Sequence, residues 1–456
     1  CSIYVYLYKS NLLDYALSSK ENFLQVVYHE QTCNSYSNTK ENNTKEISLF
    51  GYEEVNKQSR DSYSKKVPKY RNSSFNDEWV RQSLGKTVEI IMGQSPDSKN
   101  YTDNPNDYIL VQGNADMKNG RVFPRVWTTQ VTKLAEKGDL ILSVRAPVGD
   151  IGKTDYNVVL GRGVAAIKGN EFLFQLLTKM KQSHYWSKFS TGSTFESINS
   201  NDIKSAEIYL PSVEEQSAIG FLFHTLDDLM ASYKDNLANY QSLKSTMLSK
   251  MFPKAGQTVP EIRLDGFEGE WEKYYLGDIF EQVSNYIEPS VENELWSLTV
   301  EKGLTPKTDR YKRDFLVKKN DKFKKVDINE FVYNPMNLTL GALDLNNKGR
   351  TISVSGYYVV MKNTDVEKFD NDFFKILLKT TYAIYQYKQF ATGTLIEKQR
   401  VQFTTFSEIP FYLPTIAEQC AIGAYFSILD NLIATHQEKI SQLETLKKKL
   451  LQDMFI

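Results

Sequence analysis

The chain has 456 residues, of which 41% are hydrophobic, and its 55 basic and 56 acidic residues give a formal net charge of -1. This length predicts about two to four domains with packed cores, and the near-zero charge argues against a uniformly basic nucleic-acid binder while leaving room for local basic surfaces. The three cysteines, Cys1, Cys33 and Cys420, have neither a disulfide nor a metal-ligand spacing, and no apolar run approaches membrane-spanning length. We therefore expect a cytoplasmic protein without membrane contact.

Residues 1–66 differ in composition from the rest of the chain. A short apolar patch near the start is followed, from Cys33 to Lys66, by a stretch rich in Asn, Ser, Thr, Lys and Glu. Such a composition cannot bury enough apolar surface to offset the entropy lost on ordering. We expect a flexible or extraneous leader and assign it no function.

From Val67 onward the sequence contains an internal duplication. The segment VPKYRNSSFNDEWVRQSLGK (67–86) aligns with VPEIRLDGFEGEWEKYYLGD (259–278), and YLPSVEEQSAIG (209–220) aligns with YLPTIAEQCAIG (412–423). Matches of this length do not arise from helical periodicity alone, so they indicate tandem modules. The predicted segments are a first body (67–211), a first long helix (212–253), a second body (254–414) and a second long helix (415–456).

Between their matched ends the two bodies have little sequence in common. Strands are predicted at 108–115, 139–146 and 164–169 with a helix near 171–189 in the first body, and at 329–335 and 351–362 with a helix near 370–390 in the second. Alternating strands and helices predict a mixed α/β fold with a partly antiparallel sheet. Matched ends with different interiors indicate one scaffold that presents two different surfaces.

Both long segments have the sequence of a coiled-coil helix. Ser212 with Glu215, and Thr415 with Glu418, match the capping box, in which hydroxyl and carboxylate satisfy free backbone donors at a helix start. Apolar or aromatic residues then recur in steps of three and four, the spacing of a helix that lies along another helix. Each helix would be on the order of 60 Å long, and two tandem copies can pack antiparallel about a pseudo-twofold axis. The predicted seam consists of Leu222, Leu226, Leu229, Tyr233, Tyr240, Leu243 and Met247 in the first helix and Leu429, Leu432, His436, Leu443, Leu446 and Leu450 in the second.

One seam position is polar in both helices, at Asn236 and Lys439. One interpretation is that the polar groups select a single helix register at a cost in stability. The alternative is that the seam shifts locally to Leu237 and Ile440 and leaves both polar groups in water. For His436 we expect a packed or half-exposed seam position rather than a pH switch or a ligand role.

Taken together, these features resemble the specificity subunit of type I restriction-modification enzymes. The resemblance covers residues 67–456 and is carried by the repeated VP…F…EW…LG starts, the QGN and GD-L-SVRAP-G-IG segments, the turns at 190–193 and 391–394, and the two P-x-x-EQ-AIG helix starts. It implies that each body is a target-recognition domain reading one half of a bipartite site on double-stranded DNA, with the helices as an antiparallel spacer. It also implies partners: methyltransferase subunits, expected to number two, and translocating restriction subunits. These partners would methylate adenine and cleave DNA, and no cofactor is expected on this chain.

Candidate DNA contacts lie in or beside glycine-containing turns, where side chains reach base edges and phosphates. Arg suits guanine, and Gln or Asn suits adenine. For each candidate the alternative is an ordinary solvated position, while structural roles are expected for the Thr-Gly turns and for Trp79 and Trp271. The candidates are Gln112, Asn114, Lys118, Arg121, Arg145, Lys153 and Arg162 in the first body and Asn337, Lys348, Arg350, Lys398 and Arg400 in the second.

Catalytic and metal-binding motifs are incomplete, so we expect neither kind of site. The segment 149–154 lacks the first glycine of a phosphate-binding loop because Pro147 takes its place. The segment Asn334-Pro335-Met336 lacks the second proline and the aromatic residue of an amino-methyltransferase motif, and the four histidines lack metal spacing. Two alternative classes remain, namely a self-sufficient DNA-modifying enzyme and a coiled-coil adaptor whose bodies bind proteins. The near-neutral charge suits the adaptor.

Overall fold

The computed structural model describes residues 52–54, 66–189, 197–307, 323–393 and 399–456. Contacts divide the chain into two compact units, one with the residues up to His224 together with Leu446–Ile456 and the other with Thr225–Thr445. Both units combine strands with helices. The predicted mixed α/β class, with globular bodies and two long helices, is confirmed.

The first unit contains two large sheets and two pairs of strands. Its strands are β1 (Tyr52–Glu54), β2 (Tyr70–Asn72), β3 (Val80–Ser83), β4 (Ile90–Met92), β5 (Tyr101–Thr102), β6 (Tyr108–Val111), β7 (Met117–Lys118), β8 (Arg121–Val122), β9 (Trp127–Thr128), β10 (Leu134–Ala135), β11 (Leu140–Ser143), β12 (Ile151–Lys153), β13 (Val158–Leu160), β14 (Val164–Ile167) and β15 (Glu207–Leu210). Its helices are α1 (Leu84–Thr87), α2 (Glu171–Gln182) and α3 (Ser200–Lys204), and the long α4 (Val213–Lys250) begins in it. The sheet orders are β4-β14-β11-β12-β8-β7 and β10-β13-β6-β9-β5. Strands β11 and β14 are buried along their whole length, so both faces of the six-stranded sheet are covered there.

Elements predicted for the first body are present but shorter than expected. The strand predicted at 108–115 ends at Val111 and is followed by a 3-10 turn, Asn114–Asp116. The helix predicted at 171–189 is α2 followed by a separate 3-10 turn, Tyr185–Phe189. Most of the predicted leader lies outside the described residues, but its strand β1 pairs antiparallel with β2.

The second unit has a smaller central sheet. Its strands are β16 (Glu272–Tyr275), β17 (Phe280–Val283), β18 (Trp296–Thr299), β19 (Gly303–Pro306), β20 (Phe323–Val326), β21 (Phe331–Tyr333), β22 (Leu343–Leu345), β23 (Ile352–Ser355), β24 (Val359–Asn363) and β25 (Pro410–Leu413). Its helices are α5 (Leu276–Ile279), α6 (Asn371–Leu377), α7 (Thr381–Phe390), α8 (Phe403–Ser407) and the long α9 (Ile416–Asp453). The central order is β17-β24-β21-β22, and β16-β25, β18-β19 and β20-β23 form pairs.

Two elements predicted for the second body were wrong in extent. The strand predicted at 351–362 is two strands, β23 and β24, because a turn closes between them where the Tyr358 N–H donates to the Ser355 carbonyl at 3.1 Å. The helix predicted at 370–390 is also two helices. Its break falls at Thr380, whose hydroxyl accepts from the Ala383 N–H at 3.1 Å and so caps α7 as a new helix.

The duplication extends into the two central sheets. In the first unit β4, β14, β11 and β12 are adjacent and antiparallel, and in the second β17, β24, β21 and β22 repeat that order and direction. The loop between β11 and β12 therefore corresponds to the loop between β21 and β22. In the same way, the turn before β14 corresponds to the turn before β24.

Each long helix starts with an ion pair between an arginine and a buried glutamate, not with a complete capping box. The Ser212 hydroxyl accepts from the Glu215 N–H at 3.3 Å, as predicted, but the Glu215 carboxylate accepts two hydrogen bonds from Arg71 at 2.7 Å each. In the second module Arg263 donates to Glu418 at 2.9 and 2.6 Å, which raises the pKa of the Arg263 guanidinium. The Arg of each VP-x-x-R start is thus the partner of the Glu in each P-x-x-EQ helix start.

The rest of the EQ-AIG pattern also serves the helix start. The Gln419 side chain donates to the Pro414 carbonyl at 2.9 Å and accepts from the Asp370 N–H at 3.0 Å, which ties α9 to the start of α6. A Cβ at Gly423 would lie 2.8 Å from a carboxylate oxygen of Asp370 and 3.1 Å from the Phe373 nitrogen. Glycine is therefore required for this close approach of the two helices.

Within the second unit the two long helices run antiparallel. Lys234 pairs with Glu444 at 2.8 Å and Lys244 pairs with Asp430, so partner numbers fall along one helix as they rise along the other. His436 is half-buried between the rings of two tyrosines, with centroids 5.3 Å from Tyr233 and 5.2 Å from Tyr240. The seam residues fall into two groups: Leu222, Leu226, Leu429, Leu443, Leu446 and Leu450 are buried, and Leu229, Tyr233, Tyr240, Leu243, Met247, Leu432 and His436 are half-buried.

At the polar seam position the two helices differ. Ile440 is buried in the second helix, as the local shift of the seam predicts, but Lys439 is half-buried and not fully in water. In the first helix Asn236 and Leu237 are both half-buried, and the seam has no single occupant there.

The helix ends are anchored by aromatic packing. Phe455 packs against Trp79, Phe172 and Phe223 in the first unit. In the second unit Phe252 packs against Phe373 and Phe426. Each Met-Phe terminus is thus part of a hydrophobic core, and the tryptophans Trp79 and Trp271 are each 2% exposed, as expected of core residues.

Candidate nucleic-acid interface

Four loops of the first unit meet at one end of its central sheet, which we call the first sheet end. They are residues 93–95 after β4, 112–114 after β6, 144–150 after β11 and 161–163 before β14. Backbone hydrogen bonds join them, from Gly93 to Val164 at 3.0 Å, from Gly161 to Val111 at 2.8 Å and from Val144 to Gly163 at 2.9 Å. The structure therefore brings together four of the predicted contacts, Gln112, Asn114, Arg145 and Arg162.

The loop that carries Arg145 is fixed from beneath. Lys181 donates to the Val148 carbonyl at 2.7 Å and forms an ion pair with Asp150 at 3.3 Å. Gly149 has a φ of 88° and packs directly on the buried Trp186 ring, so a side chain there would be strained and would clash. A rigid loop of this kind presents a side chain in one place, which specific contact with a base requires.

Arg145 and Arg162 are the open basic groups at the first sheet end. Both side chains are exposed, and neither guanidinium has a hydrogen bond or ion pair with any other residue that the structure describes. The Arg162 backbone is held because its N–H donates to the Ser95 hydroxyl at 3.1 Å. These two guanidinium groups have the geometry to donate two hydrogen bonds each to an acceptor pair such as guanine O6 and N7.

The other three candidates of the first body lie at the opposite end of the sheet. Lys153 pairs in register with Leu140, the first residue of β11, and Arg121 pairs with Lys153 and Lys118. The Lys153 ammonium is half-buried, bonds to Glu171 and lies 5.6 Å from the Phe174 ring centroid. Arg121 donates to Asp155 at 2.8 Å, and Lys118 lies over Phe123. The structure does not bring these three to the first sheet end.

The candidates of the second body are also split between two ends. Asn337 is exposed in the loop between β21 and β22, and Arg400 lies beside it because the Val401 N–H donates to the Pro335 carbonyl at 3.0 Å. We call this the second sheet end. Lys348 and Arg350 follow β22 at the other end, where Arg350 donates to Glu294 at 2.6 Å. Lys398 lies outside the described residues.

Sequence reasoning missed several residues at these two ends. At the first, Gln94 and Ser95 follow Gly93, and at the second, Tyr286 is 58% and Tyr357 is 89% exposed. A glycine stands next to the Gln94-Ser95 pair and next to Tyr357, so the rule applied to the other candidates selects them as well. Behind Tyr357, burial lowers the pKa of the Lys324 ammonium, which donates to the Tyr358 carbonyl at 2.7 Å.

The described residues include neither a candidate metal site nor a candidate membrane span. Among them, no three or more His, Cys, Asp or Glu side chains are grouped so that they would bind a metal ion. Of the helices in the described ranges, none combines the length and the apolar character needed to cross a bilayer.

Comparison with known proteins gives the family. The chain matches the model of the family described as type I restriction modification DNA specificity domain twice, over residues 76–239 and 268–445. The chain belongs to this family, because the matches cover more than half of its length and fall on both modules.

Individual relatives are similar over part of their length. The chain is 32% identical over 181 residues to a putative type I restriction enzyme specificity subunit, MjaX, of Methanocaldococcus jannaschii, covering 38% of this chain and 42% of that protein. It is 27% identical over 171 residues to the MjaIX specificity subunit of the same organism, covering 35% and 40%. The alignments thus span about two fifths of these curated relatives.

A solved structure shares the fold. The type I restriction-modification system S subunit from M. genitalium has a TM-score of 0.58 and 16% sequence identity to this chain, with 86% of this chain and 99% of that chain covered. At this identity the likeness concerns the fold.

Proposed function

We propose that this chain is the sequence-specific DNA-recognition subunit of a type I restriction-modification complex, and that each body reads one half of a bipartite duplex target. One observation carries the proposal. Two sheets of the same strand order present different side chains at the same end: Arg145 and Arg162 in the first unit, and Asn337 and Arg400 in the second. One scaffold with two reading surfaces suits a target with two unlike halves.

The side chains at each sheet end fit base-edge recognition. Arginine donates two hydrogen bonds to guanine, and asparagine pairs in the same way with adenine. Each such contact discriminates against a wrong base by about 1–3 kcal/mol. A few contacts per body are enough for a short defined half-site.

The chemistry belongs to partner proteins in this proposal. Two methyltransferase subunits modify adenine in each half of the target, and restriction subunits translocate and cleave the DNA. The antiparallel helices α4 and α9 act as a spacer that fixes the number of undefined base pairs between the half-sites.

The test is single-molecule sequencing of methylated adenines in cells that carry this chain with the methyltransferase of its system. We expect a split motif with two short defined parts, and no such motif in cells that have the methyltransferase without this chain. An unsplit motif, or the same motif without the chain, would overturn the proposal. Purified chain alone is expected neither to methylate nor to cut DNA, and either activity would point to a self-sufficient enzyme instead.

A further inference from the structure

The turn before β24 presents a tyrosine almost fully to solvent. Tyr357 is 89% exposed, whereas its neighbour Tyr358 is only half-exposed. The turn itself is held firmly, because the Tyr358 N–H donates to the Ser355 carbonyl and the buried Lys324 ammonium donates to the Tyr358 carbonyl at 2.7 Å. The Tyr357 ring therefore projects from a fixed backbone and packs on little of the chain that the structure describes.

Tyr357 occupies the position that Arg162 occupies in the first body. Each residue lies in the turn that precedes the strand in second position of the sheet order, which is β24 for Tyr357 and β14 for Arg162. In the first unit this turn contacts the loop that follows β11, through the bond from Val144 to Gly163. The corresponding loop of the second unit carries Asn337.

Register places Tyr357 at the second sheet end with Asn337. Strand β21 ends at Tyr333, which pairs with Val359 and Leu343, so the turn before β24 and the loop after β21 share one end of the sheet. The second sheet end also includes the exposed Tyr286, whose backbone forms a β-bridge with that of Lys324. An aromatic ring, an amide and a guanidinium thus lie on one surface.

We propose that Tyr357 is a specificity-determining residue of the second body, whose ring packs against bases of the second half-site. This inference rests on the proposed function. A neutral ring contributes apolar contact, for example with a thymine methyl group, and it releases no counterion from DNA. Tyr357 and Arg162, although equivalent in topology, therefore have different signatures: loss of the arginine reduces the salt dependence of binding, and loss of the tyrosine does not.

The experiment measures binding of the full chain, in complex with its methyltransferase, to a duplex that carries the motif found for the unaltered complex. Tyr357→Ala is expected to lower affinity about tenfold, and Tyr357→Phe to stay within about twofold of the unaltered protein, because the ring makes the contact. The slope of affinity against salt concentration is expected to be unchanged by either substitution. The matched control is Tyr275→Ala, with no expected loss: Tyr275 is 46% exposed and precedes β17, whose first residue pairs with Asn363 at the end of β24 away from Tyr357.

Methylome sequencing of the same variants completes the test. Tyr357→Ala is expected to relax one or two positions of one half of the motif and to leave the other half unchanged. Unchanged affinity and motif for Tyr357→Ala would overturn this inference alone, as would a loss with Tyr357→Phe equal to that with alanine. If the unaltered complex shows no split motif, the proposed function itself fails. Thermal unfolding of each variant checks that the fold is intact.

Discussion

At the scale of single residues, the pair formed by Arg71 and Glu215 joins the start of the first module to the start of its long helix. Both side chains are buried, and the two hydrogen bonds are parallel, the arrangement in which arginine and carboxylate bind most strongly. Removing the arginine leaves a carboxylate that is 2% exposed without its partner. Arg71→Ala is expected to lower the free energy of unfolding by about 3–5 kcal/mol, measured by urea denaturation.

The matched control for this prediction is the exposed pair of Arg81 and Glu207, whose side chains are 60% and 55% exposed. Solvent screens such a pair, so Arg81→Ala is expected to cause no measurable change in the free energy of unfolding. Equal losses for the two arginines would show that burial of the pair is not what matters.

Two basic residues of the first body are expected to have different roles, one in DNA binding and the other in the stability of the fold. Arg162 is exposed at the first sheet end, whereas Lys153 is half-buried and bonds to Glu171. Arg162→Ala is expected to lower DNA affinity about tenfold and to leave the melting temperature unchanged, because it removes a base or phosphate contact. Lys153→Ala is expected to lower the melting temperature with little loss of affinity. Fluorescence anisotropy with a target duplex and thermal denaturation measure the two effects, and the reverse pattern would contradict this assignment.

At the scale of elements, the length of the helices is expected to act as a ruler. The segment of α4 from Asn236 to Tyr240 lies opposite His436 of α9, whose ring contacts Tyr233 and Tyr240. Inserting or deleting about four residues there shifts the rest of α4 along its axis by about 6 Å, close to the rise of two base pairs. We expect the gap between the half-sites to change, or binding to be lost, as seen in the methylome.

The control for this insertion lies in a loop. Four residues added within the exposed segment 103–106 of the first body lengthen the chain without altering either long helix. The gap is expected to stay constant in that variant. A constant gap in the helix variant as well would refute the ruler.

At the scale of the whole molecule, the two modules are expected to be interchangeable in part. Residues 87–205 lie between the matched ends of the first module, so replacing them with a related body leaves in place the ion pair of Arg71 and Glu215 and the pairing of β3 with β15. The exchanged chain is expected to alter one half of the target and to keep the other half and the gap. Methylome sequencing reads this directly, and a change in both halves would contradict independent reading by the two bodies.

The amino-acid sequence by itself determined the duplication, the two long helices and the resemblance to a family. Each of these depends on patterns that are local or repeated, namely heptad spacing, helix-start residues and twelve-residue matches. It also placed Arg145 and Arg162 among the candidate contacts, since both stand next to turn-forming residues. Where local signals were ambiguous, as at Thr380 and in the turn before β24, the predicted elements were too long.

Only the tertiary structure decided which distant residues meet. Strand order and register bring Gln112, Arg145 and Arg162 to one end of a sheet and send Lys153 to the other, although all four follow the same sequence rule. The same applies to Glu215, which the local pattern assigns to a cap and the structure assigns to Arg71. Leaving a buried carboxylate without a charged partner costs more free energy than leaving one backbone N–H at a helix start without a cap. Whether the carboxylate is buried depends on the whole fold.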